Sequence, residues 1–214
     1  ATVAGYARIP SLAVVGRSER ELQIELEAEF FRAGGDRTAY GSIVASGPHS
    51  AVLHFEPGPR RFAAGDLLLI DAGAEVDGYA CDVTRTYPVG GRFTAAQRDL
   101  YALLLDVQER AIAGCRAGAE FRELHREAAR GIAAGLAGLG LLRGGADELV
   151  ESGAVALFFP HGLGHLVGLG VRDASGYLPG RTRSTHPVFQ YLRCDLPLAP
   201  GFVTTIEPGI YFIP

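Results

Sequence analysis

Apolar positions recur with helical spacing in three stretches. Leu22, Leu26 and Phe30 share one face behind Ser18 and Glu21, which make an S-x-x-E capping box, and Gly34 with Gly35 ends that helix. Thr94 and Gln97 open a second box ahead of Leu100, Leu103, Leu104, Val107 and Ala111. A third helix is predicted over 121–136, weakened by Gly131 and Gly135. Between the first and second helices the pattern turns strand-like, over 42–45 and 51–55. A hairpin follows: 67–74 is apolar, 75–78 holds an Asp-Gly turn signal, and 79–89 alternates. Further on, 155–159 and 203–206 read as short strands, and 161–173 is too rich in glycine for a helix. Helices and strands are grouped without βαβ alternation, so the chain is expected to be α+β.

Several polar residues sit where this pattern would not put them. Asp71 closes the apolar run Leu67-Leu68-Leu69-Ile70. With the turn centred near Val76 and Asp77, Asp71 and Asp82 would face each other across the hairpin, at ~4.5–5.5 Å between Cβ atoms. Two carboxylates that close repel, and a divalent cation between them would relieve it. Alternatively, the register differs and one aspartate caps a turn. His161 and His165, in His161-Gly-Leu-Gly-His165, share a face of an extended backbone, and the intervening glycines permit close approach of a ligand. They serve equally as hydrogen-bonded core histidines. Glu207 ends the strand-like run before Pro208-Gly209, much as Asp71 ends its own. Three carboxylates and a histidine make a mostly oxygen-donor set, suited to Mn²⁺, Co²⁺ or Zn²⁺ rather than to a cysteine-rich structural zinc site.

Composition removes other classes. The chain has 214 residues, a net charge of −4 and no basic stripe, so nucleic acid is not expected as a partner. No apolar run approaches the ~20 residues of a membrane helix, and no membrane association is expected. Cys81, Cys115 and Cys194 are sparse and lack CxxC spacing, which suits a reducing, cytoplasmic setting. The absence of an initiating Met and of a secretory pattern at the start makes a fragment or processed chain the expectation.

Four segments occur in an order that resembles one family. Ile70-Asp71-Ala72-Gly73-Ala74-Glu75 and Cys81-Asp82-Val83-Thr84-Arg85-Thr86 look like paired aspartate ligand motifs; Phe159-Pro160-His161-Gly162-Leu163-Gly164-His165 looks like a histidine motif; Thr205-Ile206-Glu207-Pro208-Gly209-Ile210-Tyr211 looks like a glutamate motif. Together, and from Ser18-Glu19-Arg20-Glu21-Leu22 onward, they resemble the family that contains prolidase, aminopeptidase P and methionine aminopeptidase. The resemblance implies a pita-bread fold, a curved antiparallel sheet covered by helices, in one catalytic domain over 1–214. It implies two divalent ions, manganese favoured and cobalt or zinc as alternatives, held by Asp71, Asp82, His165 and Glu207. It makes His54 and His161 substrate-side histidines. Tyr40 and Arg193 resemble the substrate-pocket tyrosine and the carboxylate-holding arginine of prolidases, a task the arginine fork suits. Arg172 stands where the family usually has a histidine; it can donate hydrogen bonds to substrate but cannot shuttle protons near neutral pH. The family's second glutamate ligand would fall beyond Pro214 and its N-terminal domain is missing, so the catalytic domain is expected to be incomplete.

The activity implied is hydrolysis of the bond before proline, with Glu207, His161 and His54 as the catalytic groups. The substrate would be a proline-containing dipeptide or short peptide, and the protein a homodimer. Tyr40 and Arg193 favour a dipeptidase over an aminopeptidase acting on longer peptides. Two other readings are a metal-free binding module of the same fold, favoured by Arg172 and the missing glutamate, and a metal-independent creatinase-like hydrolase. Retention of all four visible ligands argues against both.

Overall fold

The computed structural model describes residues 1–174 and 176–213. The chain forms two compact units: residues 1–95 with 167–171, and residues 96–166 with 172–214.

The first unit begins with α1 (Thr2–Leu12), which the hydrophobic pattern did not reveal. Its Ala1 N-cap makes no side-chain bond and Pro10 lies inside it, so both helix signals are missing. What holds it is packing: Tyr6 and Ile9 are buried, and a Cβ on Gly5 would sit 2.5 Å from the Phe30 ring. Phe30 belongs to α2 (Glu19–Arg32), whose Ser18–Glu21 capping box forms as expected and whose Leu22, Leu26 and Phe30 are fully buried. Two antiparallel sheets complete this unit. One orders β2 (Ile43–Ser46), β3 (Leu67–Ala72) and β6 (Val83–Pro88); the other orders β1 (Arg37–Thr38), β4 (Ala74–Val76) and β5 (Tyr79–Ala80). The break between β3 and β4 falls at Gly73, where a Cβ would overlap the carbonyl oxygen of Cys81. Only glycine lets the two strands approach so closely there. Residues 51–55, expected as a strand, instead end a 3-10 turn (Gly47–Ala51) and continue as an irregular turn.

The second unit is mainly helical. α3 (Ala95–Gly114) and α4 (Phe121–Gly138) match the second and third expected helices. Gly131 and Gly135, unfavourable for helix propensity, are contact sites: a Cβ on Gly131 would lie 2.9 Å from Val107, and one on Gly135 would overlap Leu103. Close helix approach offsets the propensity cost here. α5 (Ala146–Glu151) and the parallel pair β7 (Gly176–Tyr177) with β8 (Cys194–Asp195) follow. The expected strand over 155–159 is a 3-10 turn (Ala154–Leu157) and its neighbours, and 203–206 contributes a single antiparallel bridge, Leu166↔Thr204. Short apolar runs do not distinguish strands from buried turns, and periodicity could not have separated them. Burial pushes the Cys194 thiol up to about 11, as befits a small core side chain. Among the described residues no helix is long and apolar enough to cross a membrane. The α+β class stands; among the described residues the strands form two antiparallel sheets and a short parallel pair.

Candidate active site

The aspartate pair arises from the hairpin, but not in the expected register. Asp77 and Gly78 both have positive φ, 51° and 82°, the conformation of a type I′ turn with Asp-Gly at its two central positions. The turn is therefore centred between these two residues, one position later than Val76-Asp77. Pairing shifts accordingly: Asp71 faces Thr84, and Glu75 faces Ala80. Asp82 lies between β5 and β6, next to the Cys81 N–H that donates to Ala74 O at 3.1 Å. It is a diagonal neighbour of Asp71 rather than its direct partner. A slip of two residues preserves the alternation of faces, so both aspartates still share one.

Tyr40 closes the arrangement. The Ala39 N–H donates to Gly73 O at 2.8 Å and brings the chain after β1 alongside the strand break. Tyr40 Oη then lies 2.5 Å from Asp71 Oδ1 and 3.2 Å from Asp82 Oδ1. Burial, then Asp71, then Asp82 push the phenol far above its ordinary range, so it stays protonated and donates. The two carboxylates bring oxygen donors together around this one hydroxyl, a donor set that fits a hard or borderline divalent cation.

In the second unit, residues 163–166 lie against 204–207. Thr205 N–H donates to His165 O at 2.9 Å and Glu207 N–H to Leu163 O at 2.8 Å. Gly164 makes this possible, because a Cβ there would overlap Thr205 O. Thr205 Oγ1 accepts from His165 N–H at 2.9 Å and donates to Glu207 Oε1 at 2.8 Å. His165 Nδ1 lies 3.1 Å from Leu166 O; a carbonyl only accepts, so Nδ1 carries the proton. Nε2 faces Glu207 Oε1 at 3.4 Å, and an Nδ1–H held by a carbonyl orients the ring so that Nε2 is the nitrogen that would ligate a metal. The sequence reading missed Thr205. Its one available signal was the two-residue spacing from Glu207, which puts both side chains on the same side of an extended backbone.

The other expected residues fall as follows. His161 Nδ1 donates to Gly162 O at 2.9 Å, and its ring meets Phe159 and Tyr211 edge-on at centroid distances of 5.1 and 5.3 Å. Arg172 and Arg193 are exposed. Partial burial, and then the nearby charges of Arg172 and Arg183, lower the Arg193 pKa, while Glu207 opposes them. Asp195, fully buried two residues later, accepts from Arg122 and, at 2.9 Å, from Arg181, and so anchors the segment that carries Arg193. In the first unit His54 is exposed on the turn after Gly47–Ala51, with φ 54°. Among the described residues no group of three or more His, Cys, Asp or Glu side chains forms a ligand cluster. Asp71 and Asp82 pair within the first unit, and His165 and Glu207 within the second.

The model of metallopeptidase family M24 matches residues 1–214. The Xaa-Pro aminopeptidase of Escherichia coli (strain K12) is 40% identical over 199 residues, 93% of this chain and 42% of that protein. A probable Xaa-Pro aminopeptidase of Sordaria macrospora is 40% identical over 196 residues, 92% of this chain and 42% of that protein. Among solved structures, Pseudomonas aeruginosa aminopeptidase PepP matches with a TM-score of 0.86 at 39% identity, over 98% of this chain and 45% of that one. Zinc-substituted E. coli aminopeptidase P in complex with product gives 0.87 at 38% identity with the same coverage. The fold is the pita-bread fold of these neighbours. The chain spans less than half the length of each of these relatives.

Proposed function

Since this chain belongs to metallopeptidase family M24, we propose that it carries the catalytic groups of a metal-dependent exopeptidase that cuts the bond between a first residue and proline. The observation that carries this reading is the Asp71–Asp82 pair, whose Oδ1 atoms converge on one Tyr40 hydroxyl. Asp71 and Asp82 would supply carboxylate ligands, His165 its Nε2 and Glu207 a further carboxylate, for divalent ions among which manganese is favoured and cobalt or zinc would serve. When bound, the ions supply Lewis-acid activation of the attacking water.

The chain's own residues perform the remaining tasks. Glu207, with Oε1 fixed by Thr205, accepts the water's proton and returns it to the proline nitrogen as that bond breaks. His161 and His54 hold the carbonyl oxygen as charge develops on it. With Nδ1 of His161 already donating to Gly162 O, its Nε2 donates to that oxygen only when the ring is doubly protonated. Arg172 and Arg193 lie close enough to influence each other and bind the carboxylate or carbonyl groups beyond proline. Proline is selected because its amide nitrogen has no N–H, so a site lacking an acceptor there loses nothing with proline and leaves other residues unsatisfied.

Longer Xaa-Pro peptides are the favoured substrates. The named relatives are aminopeptidases, and the Tyr40 hydroxyl, one of two residues that favoured a dipeptidase, is engaged by the aspartates. Arg193 supports the second reading, a dipeptidase that clamps the proline carboxylate. The test is metal analysis of the full-length protein together with hydrolysis of Ala-Pro and of a longer Xaa-Pro peptide, with and without chelator. Bound divalent ions and chelator-sensitive release of the first residue from the longer peptide are expected. Faster cleavage of Ala-Pro would select the dipeptidase. No bound metal and no cleavage would select a peptide-binding module.

A further inference from the structure

Glu19, at the first position of α2, is a carboxylate with no exposed surface. Its Oε1 accepts from Ser46 N–H at 3.0 Å, Ser46 Oγ at 2.7 Å and His49 Nδ1 at 2.9 Å, and its Oε2 accepts from Gly58 N–H at 3.3 Å. These donors are the beginning, middle and end of one segment, residues 46–58. The exit is reinforced: Arg20 N–H donates to Gly58 O and Glu19 N–H to Arg60 O, each at 3.0 Å. Arg60 reaches Ser46 Oγ at 2.6 Å and forks onto Asp66 at 2.7 and 3.2 Å. Within the segment the His49 ring stacks on Phe55, centroids 4.3 Å apart and planes at 30°. Phe55 follows His54, the exposed histidine at positive φ.

Burying a carboxylate costs several kcal/mol unless donors surround it, and an apolar side chain would fill the same space without that cost. Here the donors come almost entirely from one loop. We propose that Glu19 is a positioning residue for His54: its carboxylate clasps residues 46–58 at three points and, through the His49–Phe55 stack, sets the turn that presents the His54 imidazole. A non-glycine residue in the left-handed region persists only where its surroundings over-determine it, and the clasp supplies that constraint. The catalytic consequence rests on the role given to His54 under Proposed function; the clasp itself does not.

The experiment uses the metal-loaded full-length protein and two readouts. In Glu19→Gln, amide hydrogen exchange over residues 47–57 is expected to rise about tenfold or more, with α4 unchanged. Its kcat on a longer Xaa-Pro peptide is expected to fall about tenfold or more, with a smaller change in KM. In the His54→Ala background the further loss from Glu19→Gln is expected to vanish, because both act through one group. Should Glu19→Gln fold poorly, His49→Phe keeps the stack, removes one bond and is expected to shift both readouts the same way. Unchanged loop exchange overturns the clasp. Faster exchange without loss of kcat, or losses that multiply with His54→Ala, overturns the positioning role. A fully active His54→Ala overturns the placement of His54 in the reaction, while the exchange data still decide the clasp.

Discussion

Gly164→Ala is the sharpest probe of the histidine–glutamate half of the site. The added methyl would overlap Thr205 O and lie 2.7 Å from Thr205 Oγ1 and 2.8 Å from Thr205 C. None of these can rotate away: the oxygen and carbon are backbone, and the hydroxyl is held between His165 N–H and Glu207. Residues 163–166 and 204–207 must separate, lengthening the Thr205–His165 and Glu207–Leu163 bonds now at 2.9 and 2.8 Å. Overpacking of this kind costs about 1–3 kcal/mol, and each weakened hydrogen bond adds about 1 kcal/mol. The expected destabilisation is thus about 2–4 kcal/mol, read from urea unfolding midpoints. Moving Glu207 relative to His165 by ~1 Å should lower kcat/KM about a hundredfold, and metal affinity should fall about tenfold or more. Gly138→Ala is the matched control. Gly138 is an exposed α4 residue with nothing within 4 Å of its added Cβ, so helix propensity alone should stabilise by about 0.5–1 kcal/mol. Wild-type stability and activity in Gly164→Ala would refute the claim that this close approach holds the two ligands.

Asp195→Ala removes the buried carboxylate that Arg122 and Arg181 share, while Arg181 keeps Glu120, so urea unfolding should show a loss of about 1–3 kcal/mol; a loss under 1 kcal/mol would mean water replaces the anchor. His125 is fully buried, and burial lowers its pKa from the ordinary 6.5 to about 4. Between those values the unfolded chain binds the proton and the folded one does not, so stability is full above pH 6.5 and falls by about 3 kcal/mol as pH drops to 4. A pH series of unfolding midpoints should show this slope in the parent and a shallower one in His125→Phe. Gly73→Ala must push Cys81 away from β3 and should reduce metal binding measured by titration, while Gly41→Ala, with open space around it, should not.

Elements stabilised by their own period and caps are legible in the sequence alone. α2 is the example, with capping box and buried stripe in one segment. α1 was not, because Gly5 and Pro10 argue against a helix and only contact with Phe30 explains them. The hairpin was legible in outline, but its register depended on which two residues occupy the turn centre, and Asp77-Gly78 moved Asp82 to the diagonal of Asp71. Residues 203–206 misled because a short β-branched run gives no information about a partner, and the partner here is the glycine-broken stretch 163–166.

The amino-acid order alone determined the chemistry on offer: which carboxylates, histidines and arginines are present, where apolar runs end on them, and which motifs they form. That follows because donor type and local spacing are properties of neighbouring residues. Tertiary structure decided how those groups are used. It put one Tyr40 proton between two carboxylates, held His165 Nδ1 against a neighbouring carbonyl, and tied the loop of His54 to the buried Glu19. Such couplings join residues tens of positions apart, where only packing and the need to satisfy buried polar groups choose the partner.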